Sequence, residues 1–155
     1  MIEPPRIVAT TAQPVAMLRL LVPMAEVRHV MGPGLKEVRD TVAAQGIATA
    51  GPWLTHHFRM PADTFDFAIC VPVASVIQAD GRVEPWELPA LTVARTIAIG
   101  DYAQLGANWG ALRDWIAAQG RKTRPALWEC YTVGLETSAN PEDWRTELNW
   151  PLTAA

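Results

Sequence analysis

Residues 15–27, VAMLRLLVPMAEV, are similar to residues 93–105, VARTIAIGDYAQL, and this internal repeat decides the fold. Each stretch opens on Val-Ala, and Ala25 corresponds to Ala103. Three correspondences in the same order indicate a duplicated unit of roughly 75 residues, which suits two fused half-domains better than a solenoid. The other two correspondences are a shared Ala-Ala-Gln-Gly and a strand that closes on proline: residues 43–46 and 117–120, then residues 65–73 and 144–152.

Each half of the sequence is typical of a strand followed by a helix and two more strands. The second helix is the clearer one, and Gly120 stands where a C-terminal cap belongs. The first helix is expected to break at residues 32–34, Gly-Pro-Gly, and to end at Gly46. The apolar positions of the second helix recur at helical spacing: Leu105, Trp109, Leu112 and Ile116. Strands are predicted at residues 15–22, 53–59, 65–74, 91–99, 126–133 and 145–150.

We therefore predict an α+β fold, as a single domain over residues 1–155 with pseudo-repeats at residues 15–78 and 91–152. In this prediction, two duplicated βαββ units form one antiparallel sheet. Both helices pack on one face of the sheet, and the other face is left for a ligand cleft.

The composition is that of a globular protein with a sizeable core, since half of the residues are hydrophobic and 19% are charged. A net charge of -3 without a Lys/Arg cluster disfavours direct nucleic-acid binding. No apolar stretch reaches membrane-spanning length and the first residues do not resemble a signal peptide, so a cytoplasmic protein without membrane association is expected. Cys70 and Cys130 are expected to be free thiols.

Glu129 lies in a strand-like stretch, residues 125–134 (PALWECYTVG). Burying a carboxylate there costs free energy unless a partner compensates its charge. On the strand at residues 91–99, small side chains alternate with bulky ones, and we expect the bulky set to lie under the helices. The small set would then leave a hollow that carries Glu129, Tyr131 and Glu147. The small set is Ala94, Thr96 and Ala98, and the bulky set is Val93, Ile97 and Ile99.

The residues alone leave three interpretations of Glu129 open. Its charge and the neighbouring rings can attract a cation. A desolvated carboxyl group can also act as a general acid or base, because burial raises its pKa. Alternatively, the carboxylate pairs with an arginine on a solvated sheet face; the candidates are Arg95, Arg124 and Arg145.

Four stretches between Leu91 and Leu152 resemble the GyrI-like small-molecule-binding family, also called the AraC-type effector-binding domain. They are the turn Gly100-Asp101-Tyr102, the helix LGANWGALRDWIAAQG, the strand WECY and the ending NPEDWRTELNWPL. The first half is similar more loosely, through QPVAMLR, AAQG, AGPW and FDFAICVPV. The resemblance covers nearly the whole chain and implies the duplicated βαββ fold that the repeat also predicts.

The resemblance implies a pocket on the sheet between the two halves, where aromatic residues surround a glutamate that receives cationic, lipophilic ligands. The family's glutamate falls on Glu129 with Tyr131 beside it, and the tyrosine of its Gly-x-Tyr turn falls on Tyr102. Asp80-Gly81 predicts a hairpin turn, and Trp86, which follows it, either covers the pocket or packs over the core. Position and chemistry add four ligand-binding candidates: Trp109, Glu147, Trp86 and Trp53.

The function expected from the resemblance is a stand-alone protein that binds a lipophilic, aromatic or cationic small molecule, as drug- or metabolite-sensing relatives do. Some relatives are fused to DNA-binding domains of transcription regulators, but the residues before Val15 are too few for a helix-turn-helix. One alternative is a hydrolase of strained, cyclopropane-bearing natural products, with Glu129, Tyr131 and Tyr102 as catalytic residues. Another is a protein-interaction module that modulates gyrase.

Neither a metal nor a cofactor is expected. His56 and His57 are adjacent in a predicted strand, so their side chains should point to opposite faces. Cys130 is next to the glutamate in sequence and is interpreted as an inert, buried thiol. The expected partner is therefore the small-molecule ligand, and a homodimer is one option for the assembly.

Overall fold

The computed structural model describes residues 1–154, in which the chain forms eight strands and two helices. Neither helix is long and apolar enough to cross a membrane. The strands are β1 (Arg6–Ala9), β2 (Gln13–Pro23), β3 (Leu54–His57), β4 (Thr64–Pro72), β5 (Val83–Leu88), β6 (Thr92–Ile99), β7 (Leu127–Val133) and β8 (Arg145–Pro151). The helices are α1 (Val27–Ala44) and α2 (Leu105–Ala118).

The chain divides into two compact units, and each is an antiparallel sheet with one helix. The inner unit, Thr11–Ala90, has the strand order β3-β4-β2-β5 and carries α1. The outer unit, made of Met1–Thr10 and the chain from Leu91 onward, has the order β1-β6-β8-β7 and carries α2. The predicted antiparallel α+β fold is therefore confirmed.

The two units have the same plan. The strand-helix-strand-strand order β2-α1-β3-β4 of the inner unit is repeated by β6-α2-β7-β8 in the outer unit. Each unit then receives a fourth strand beside its first one: β5 pairs with β2, and β1 pairs with β6. Strand β1 thus has in the outer unit the place that β5 has in the inner unit.

Helix α1 runs unbroken through Gly32, Pro33 and Gly34, so the predicted break is wrong. Proline removes only one backbone donor, and the packing of an apolar helix face on a core favours continuity. Packing explains the glycine at position 34, because a Cβ placed there would lie 2.6 Å from Cδ1 of Ile69 in β4. Glycine therefore allows α1 to approach the sheet closely. The buried residues of α1 that follow are Leu35, Val38 and Val42.

The core of the outer unit lies between α2 and the small residues of β6, which corrects the predicted faces. Ala94 and Ala98 pack in one cluster with Leu112 and Ile116 of α2. The small-residue face, on which the hollow was expected, therefore lies beneath α2 and not opposite it. Large side chains fill the space above the alanines; they are Leu148, Trp150 and, at the margin of the cluster, Trp109 and Trp115.

Candidate functional site

Glu129 is held by two aromatic hydrogen-bond donors in the outer unit. The indole N–H of Trp109 donates to Oε1 at 2.8 Å, and the phenol O–H of Tyr131 donates to Oε2 at 2.8 Å. Alternation along β7 puts Glu129 and Tyr131 on the same face as Leu127, which belongs to the core beneath α2. The carboxylate therefore faces helix α2.

Further aromatic rings extend this arrangement in both directions. The ring of Tyr102 meets that of Tyr131 edge-on at 5.8 Å and stacks on Trp144 at 4.5 Å. On the other side, the rings of Trp109 and Trp150 meet edge-on at 5.4 Å. We call this set the Glu129 cluster, and its members are Glu129, Tyr131, Tyr102, Trp109, Trp144 and Trp150.

The Glu129 cluster contains a half-buried polar centre among buried rings. Glu129, Tyr131, Tyr102 and Trp109 are each partly exposed, whereas Trp144 and Trp150 are buried. Thr146 lies directly opposite Tyr131 in the β7–β8 pair and is 1% exposed. Within the described residues, its hydroxyl has no hydrogen-bond partner. The centre of the cluster thus combines a carboxylate, a phenol and a buried hydroxyl group.

Tyr102 is placed by the backbone around it. The turn at Gly100-Asp101-Tyr102 begins with a glycine whose φ is 108°, a conformation that favours glycine. At the other end of the side chain, a Cβ on Gly134 would lie 2.7 Å from the Tyr102 hydroxyl oxygen. Gly134 therefore leaves the room that this phenol needs beside the Glu129 cluster.

The electrostatics of the Glu129 carboxyl group combine a burial cost with two hydrogen bonds. Burial raises its pKa above the ordinary value, and the hydrogen bonds from Trp109 and Tyr131 act in the opposite direction. Burial also raises the pKa of Tyr102, and the charge of Glu129 adds to that rise. The site is thus one where a cation would be favoured, because it offsets the cost of a buried carboxylate.

The three arginines considered as partners of Glu129 bind elsewhere. Arg95 donates to Oδ1 of Asn149 at 2.7 Å and lies 3.5 Å from Glu147. Arg124 donates to the carbonyl oxygen of Leu152, and Arg145 donates to the carbonyl oxygens of Glu142 and Trp144. These contacts therefore do not support an ion pair between Glu129 and an arginine on a solvated face.

Glu147 lies on the opposite face of the sheet from Glu129, so the predicted grouping of the two carboxylates is wrong. In the β7–β8 register Glu147 stands opposite Cys130, and Glu129 stands opposite Leu148. Glu147 accepts a hydrogen bond from Asn149 at 3.1 Å and faces Arg95. Alternation was read correctly within each strand, but the register between the strands could not be assigned from the sequence.

Trp86 and Trp53 belong to the inner unit, whereas Glu129 belongs to the outer unit. The Trp86 ring lies 4.9 Å from that of His56 and 5.9 Å from that of Phe58. Trp86 lines a groove of about 250 Å³, whereas Trp53 is half-buried against the inner core. Trp86 is thus a groove wall. The groove's other lining residues are Pro14, Val15, Val76, Pro85 and Glu87.

Among residues 1–154, no group of three or more His, Cys, Asp and Glu side chains is placed to hold a metal ion. Burial lowers the pKa of His56 and of His57 to about 4, so both rings are neutral near pH 7. Burial raises the pKa of the Cys130 thiol to about 12. A protonated thiol is a poor nucleophile, which leaves Cys130 without an evident chemical role.

Two residues of the Glu129 cluster, Trp144 and Trp150, were absent from the candidates chosen from the sequence. Trp144 stands one residue before β8 and Trp150 near the end of that strand. Both are buried rings, which sequence reasoning assigns to the core. A signal that could have indicated Trp144 is its position in the final stretch that carries the resemblance.

The chain matches the model of the GyrI-like small molecule binding domain over residues 3–153. Its fold is similar to that of the EcmrR C-terminal domain, with a TM-score of 0.87 and 18% identity over 98% of both chains. It also matches EcmrR in a cryo-EM complex with DNA (TM-score 0.86, 20% identity, 99% of this chain), but spans only 58% of that protein's length.

A third similar structure is SAV2435 bound to tetraphenylphosphonium. The TM-score is 0.66 and the identity is 10%, over 98% of this chain and 95% of that one. At these identities the likeness concerns the fold. A search of the curated proteins finds no match.

Proposed function

The chain belongs to the GyrI-like small molecule binding domain family, and from this premise we propose that it binds lipophilic, aromatic cations at Glu129. The observation that carries the proposal is the pair of 2.8 Å hydrogen bonds that hold the carboxylate among aromatic rings. The charge of Glu129 attracts the cation, and the rings of the Glu129 cluster receive its flat substituents.

Energetics favour a cationic ligand. Each carboxylate oxygen accepts one hydrogen bond from the protein and keeps further acceptor capacity. Because burial raises the pKa of Glu129, a nearby positive charge would lower that pKa again and stabilise the ionised form. Each cation–π contact with a tyrosine or tryptophan adds about 0.5–2 kcal/mol.

Tetraphenylphosphonium is a suitable test ligand, because SAV2435, a protein of similar fold, is bound to it in its structure. Titration of this cation can be followed by quenching of tryptophan fluorescence and by calorimetry. Glu129→Gln keeps the shape and removes the charge, so we expect the affinity to fall by about 1–3 kcal/mol, which is about fivefold to more than a hundredfold.

Glu147→Gln is the matched control, since Glu147 is a half-buried carboxylate on the other face of the same strands. The affinity of this variant for tetraphenylphosphonium should stay at the wild-type value. Neutral triphenylphosphine oxide should bind wild type and Glu129→Gln equally. Equal loss in both glutamine variants, or no loss in Glu129→Gln, would remove Glu129 from the role.

A second candidate function is hydrolysis of a strained electrophile. The observation that favours it is a carboxyl group of raised pKa within 2.8 Å of a phenol, which is an arrangement suited to proton transfer. Glu129 would protonate the leaving atom or activate water, while Tyr131 and Tyr102 would hold the substrate. Incubation with a cyclopropane-bearing alkylating compound, followed by mass spectrometry, separates the candidates: turnover that Glu129→Gln abolishes indicates the enzyme, and stoichiometric binding without product indicates the binding protein.

A further inference from the structure

The aromatic surface of the Glu129 cluster extends from the carboxylate to the loop that follows β7. Tyr131 donates to Glu129 at 2.8 Å, and its ring meets that of Tyr102 edge-on at 5.8 Å. The Tyr102 hydroxyl group in turn lies against Gly134, the first residue after β7. All of these residues belong to the outer unit. The carboxylate, the two phenol rings and the start of the loop therefore follow one another in space.

This loop holds a second carboxylate close to Tyr102. The backbone N–H of Thr137 donates to the carbonyl oxygen of Gly134 at 3.0 Å, and the backbone N–H of Gly134 donates to the Thr137 hydroxyl oxygen at 3.2 Å. These two bonds close a tight turn over residues 134–137, so Glu136 stays within one turn of the Tyr102 hydroxyl group. Two carboxylates therefore flank the pair of phenol rings.

Both carboxylates act on the same phenol. Burial raises the pKa of Tyr102, a hydrogen bond with the Leu135 backbone lowers it, and the charges of Glu129 and Glu136 each raise it further. A nearby negative charge raises the pKa of a phenol because it disfavours the phenolate. The same two charges favour a positive group at either end of the ring pair.

The residues between and around the two carboxylates offer an accessible surface. Tyr131 and Tyr102 are each partly exposed, and Glu136 is exposed. Leu135, beside Glu136, is 69% exposed and adds an apolar side chain at this rim. A molecule can therefore contact the rim, the ring edges and Glu136 from solvent.

We propose that the site takes elongated aromatic dications, with one positive charge at Glu129 and the other at Glu136. This inference rests on the proposed function, because the first charge occupies the Glu129 site. Tyr131 and Tyr102 receive the aromatic body between the two charges, where cation–π attraction adds to the charge pairing. A monocation uses Glu129 alone and gains nothing from the loop carboxylate.

The test compares two flat cations of nearly the same shape: methyl viologen, which has two charges, and N-methyl-4-phenylpyridinium, which has one. Calorimetry and tryptophan fluorescence of the full chain at low ionic strength follow both titrations. In Glu136→Gln, the affinity for methyl viologen should fall by about two- to fivefold, as expected for an exposed charge pair. The affinity for N-methyl-4-phenylpyridinium should stay at the wild-type value. Added salt should reduce the loss, because exposed charges are screened.

Glu142→Gln is the matched control, since Glu142 is another exposed carboxylate between β7 and β8. This variant should bind both cations as wild type does. An unchanged affinity of Glu136→Gln for methyl viologen, an equal loss in the two loop variants, or an equal loss for the two cations would overturn the dication inference. Failure of the proposed function looks different, since N-methyl-4-phenylpyridinium would then bind Glu129→Gln as tightly as wild type.

Discussion

The indole N–H of Trp109 in α2 donates a 2.8 Å hydrogen bond to Oε1 of Glu129 in β7. This bond joins the helix to the strand and lowers the pKa that burial raises. One side chain therefore contributes both to the packing of the outer unit and to the charge of the proposed binding site.

Trp109→Phe should weaken both stability and cation binding. Loss of the donor leaves Oε1 of Glu129 without this bond, and the free energy of unfolding should fall by about 1–3 kcal/mol. The pKa of Glu129 should rise further, so tetraphenylphosphonium binding should begin at a higher pH than in wild type. Chemical denaturation and titrations at several pH values measure these effects.

Trp115→Phe is the control for Trp109→Phe, because Trp115 lies on the same helix and packs on the same core. It should cost some stability through packing but leave the pH of cation binding in place. A pH profile of Trp109→Phe that coincides with wild type would contradict the assigned hydrogen bond.

Glu129→Gln should stabilise the protein at alkaline pH while it weakens cation binding. When the pKa of a group is higher in the folded state than in the unfolded state, the group stabilises the folded protein at low pH. This stabilisation is lost as the pH rises through the folded-state pKa. The burial-raised pKa of Glu129 therefore disfavours wild type, relative to the glutamine variant, increasingly with pH. Melting temperatures from pH 4 to 8 should diverge towards pH 8 and converge towards pH 4; parallel curves would show that the carboxyl group is not desolvated.

Acid should destabilise the inner unit through its buried histidines. Burial lowers the pKa of His57 from 6.5 to about 4, so the folded state binds fewer protons than the unfolded one between these values. The contribution of His57 to the free energy of unfolding is fully present above the unfolded-state pKa. It decreases by about 3 kcal/mol as the pH falls from about 6.5 to 4. In His57→Phe, urea denaturation should depend less steeply on pH in this window. An unchanged slope would mean that His57 is exposed or paired.

Gly134→Ala should displace Tyr102 from the Glu129 cluster without unfolding the chain. The added methyl group would lie 2.7 Å from the Tyr102 hydroxyl oxygen, and this half-exposed side chain can swing away. We expect tetraphenylphosphonium affinity to fall several-fold while the melting temperature changes little. Gly106→Ala in α2 has open space around its Cβ and should leave affinity unchanged. Equal affinities in both variants would exclude Tyr102 from the site.

Two neighbouring glycines of α1 should respond in opposite directions to alanine. At Gly34 the methyl group would meet Cδ1 of the fully buried Ile69 at 2.6 Å, whereas at Gly32 it would meet open space. Gly32→Ala should stabilise the protein by up to about 1 kcal/mol through helix propensity. Gly34→Ala should be less stable than Gly32→Ala by about 1–3 kcal/mol, because overpacking strains a tight core. Similar stabilities would contradict the close approach of α1 to β4.

The architecture could be predicted because the duplication is visible as short local sequence patterns. Val15-Ala16 and Val93-Ala94 lie near the start of equivalent strands, and each helix is followed directly by Gln-Gly. Each pattern depends on a few consecutive residues, so it can still be recognised although the two halves have diverged. The antiparallel α+β fold followed from this order of elements.

The face of the sheet that meets the helix could not be predicted from β6 alone. Both sets of its alternating side chains are largely apolar, and the bulkier set, with Val93, was expected beneath α2. In the structure Ala94 and Ala98 lie there, because Trp109 and Trp150 supply the volume from other elements. The packing partners of a strand lie far away in sequence, so side-chain size within one strand does not decide its inner face.

Strand β1 pairs with β6 in antiparallel register, with Arg6 opposite Arg95, and the whole inner unit lies between them in sequence. On the ribosome, β1 therefore emerges before its partner β6 and stays unpaired until Thr11–Ala90 has been made. The inner unit can close on itself during translation, and the outer unit must assemble around a segment synthesised long before. The waiting strand is short and carries a positive charge, which limits its pairing with other nascent chains.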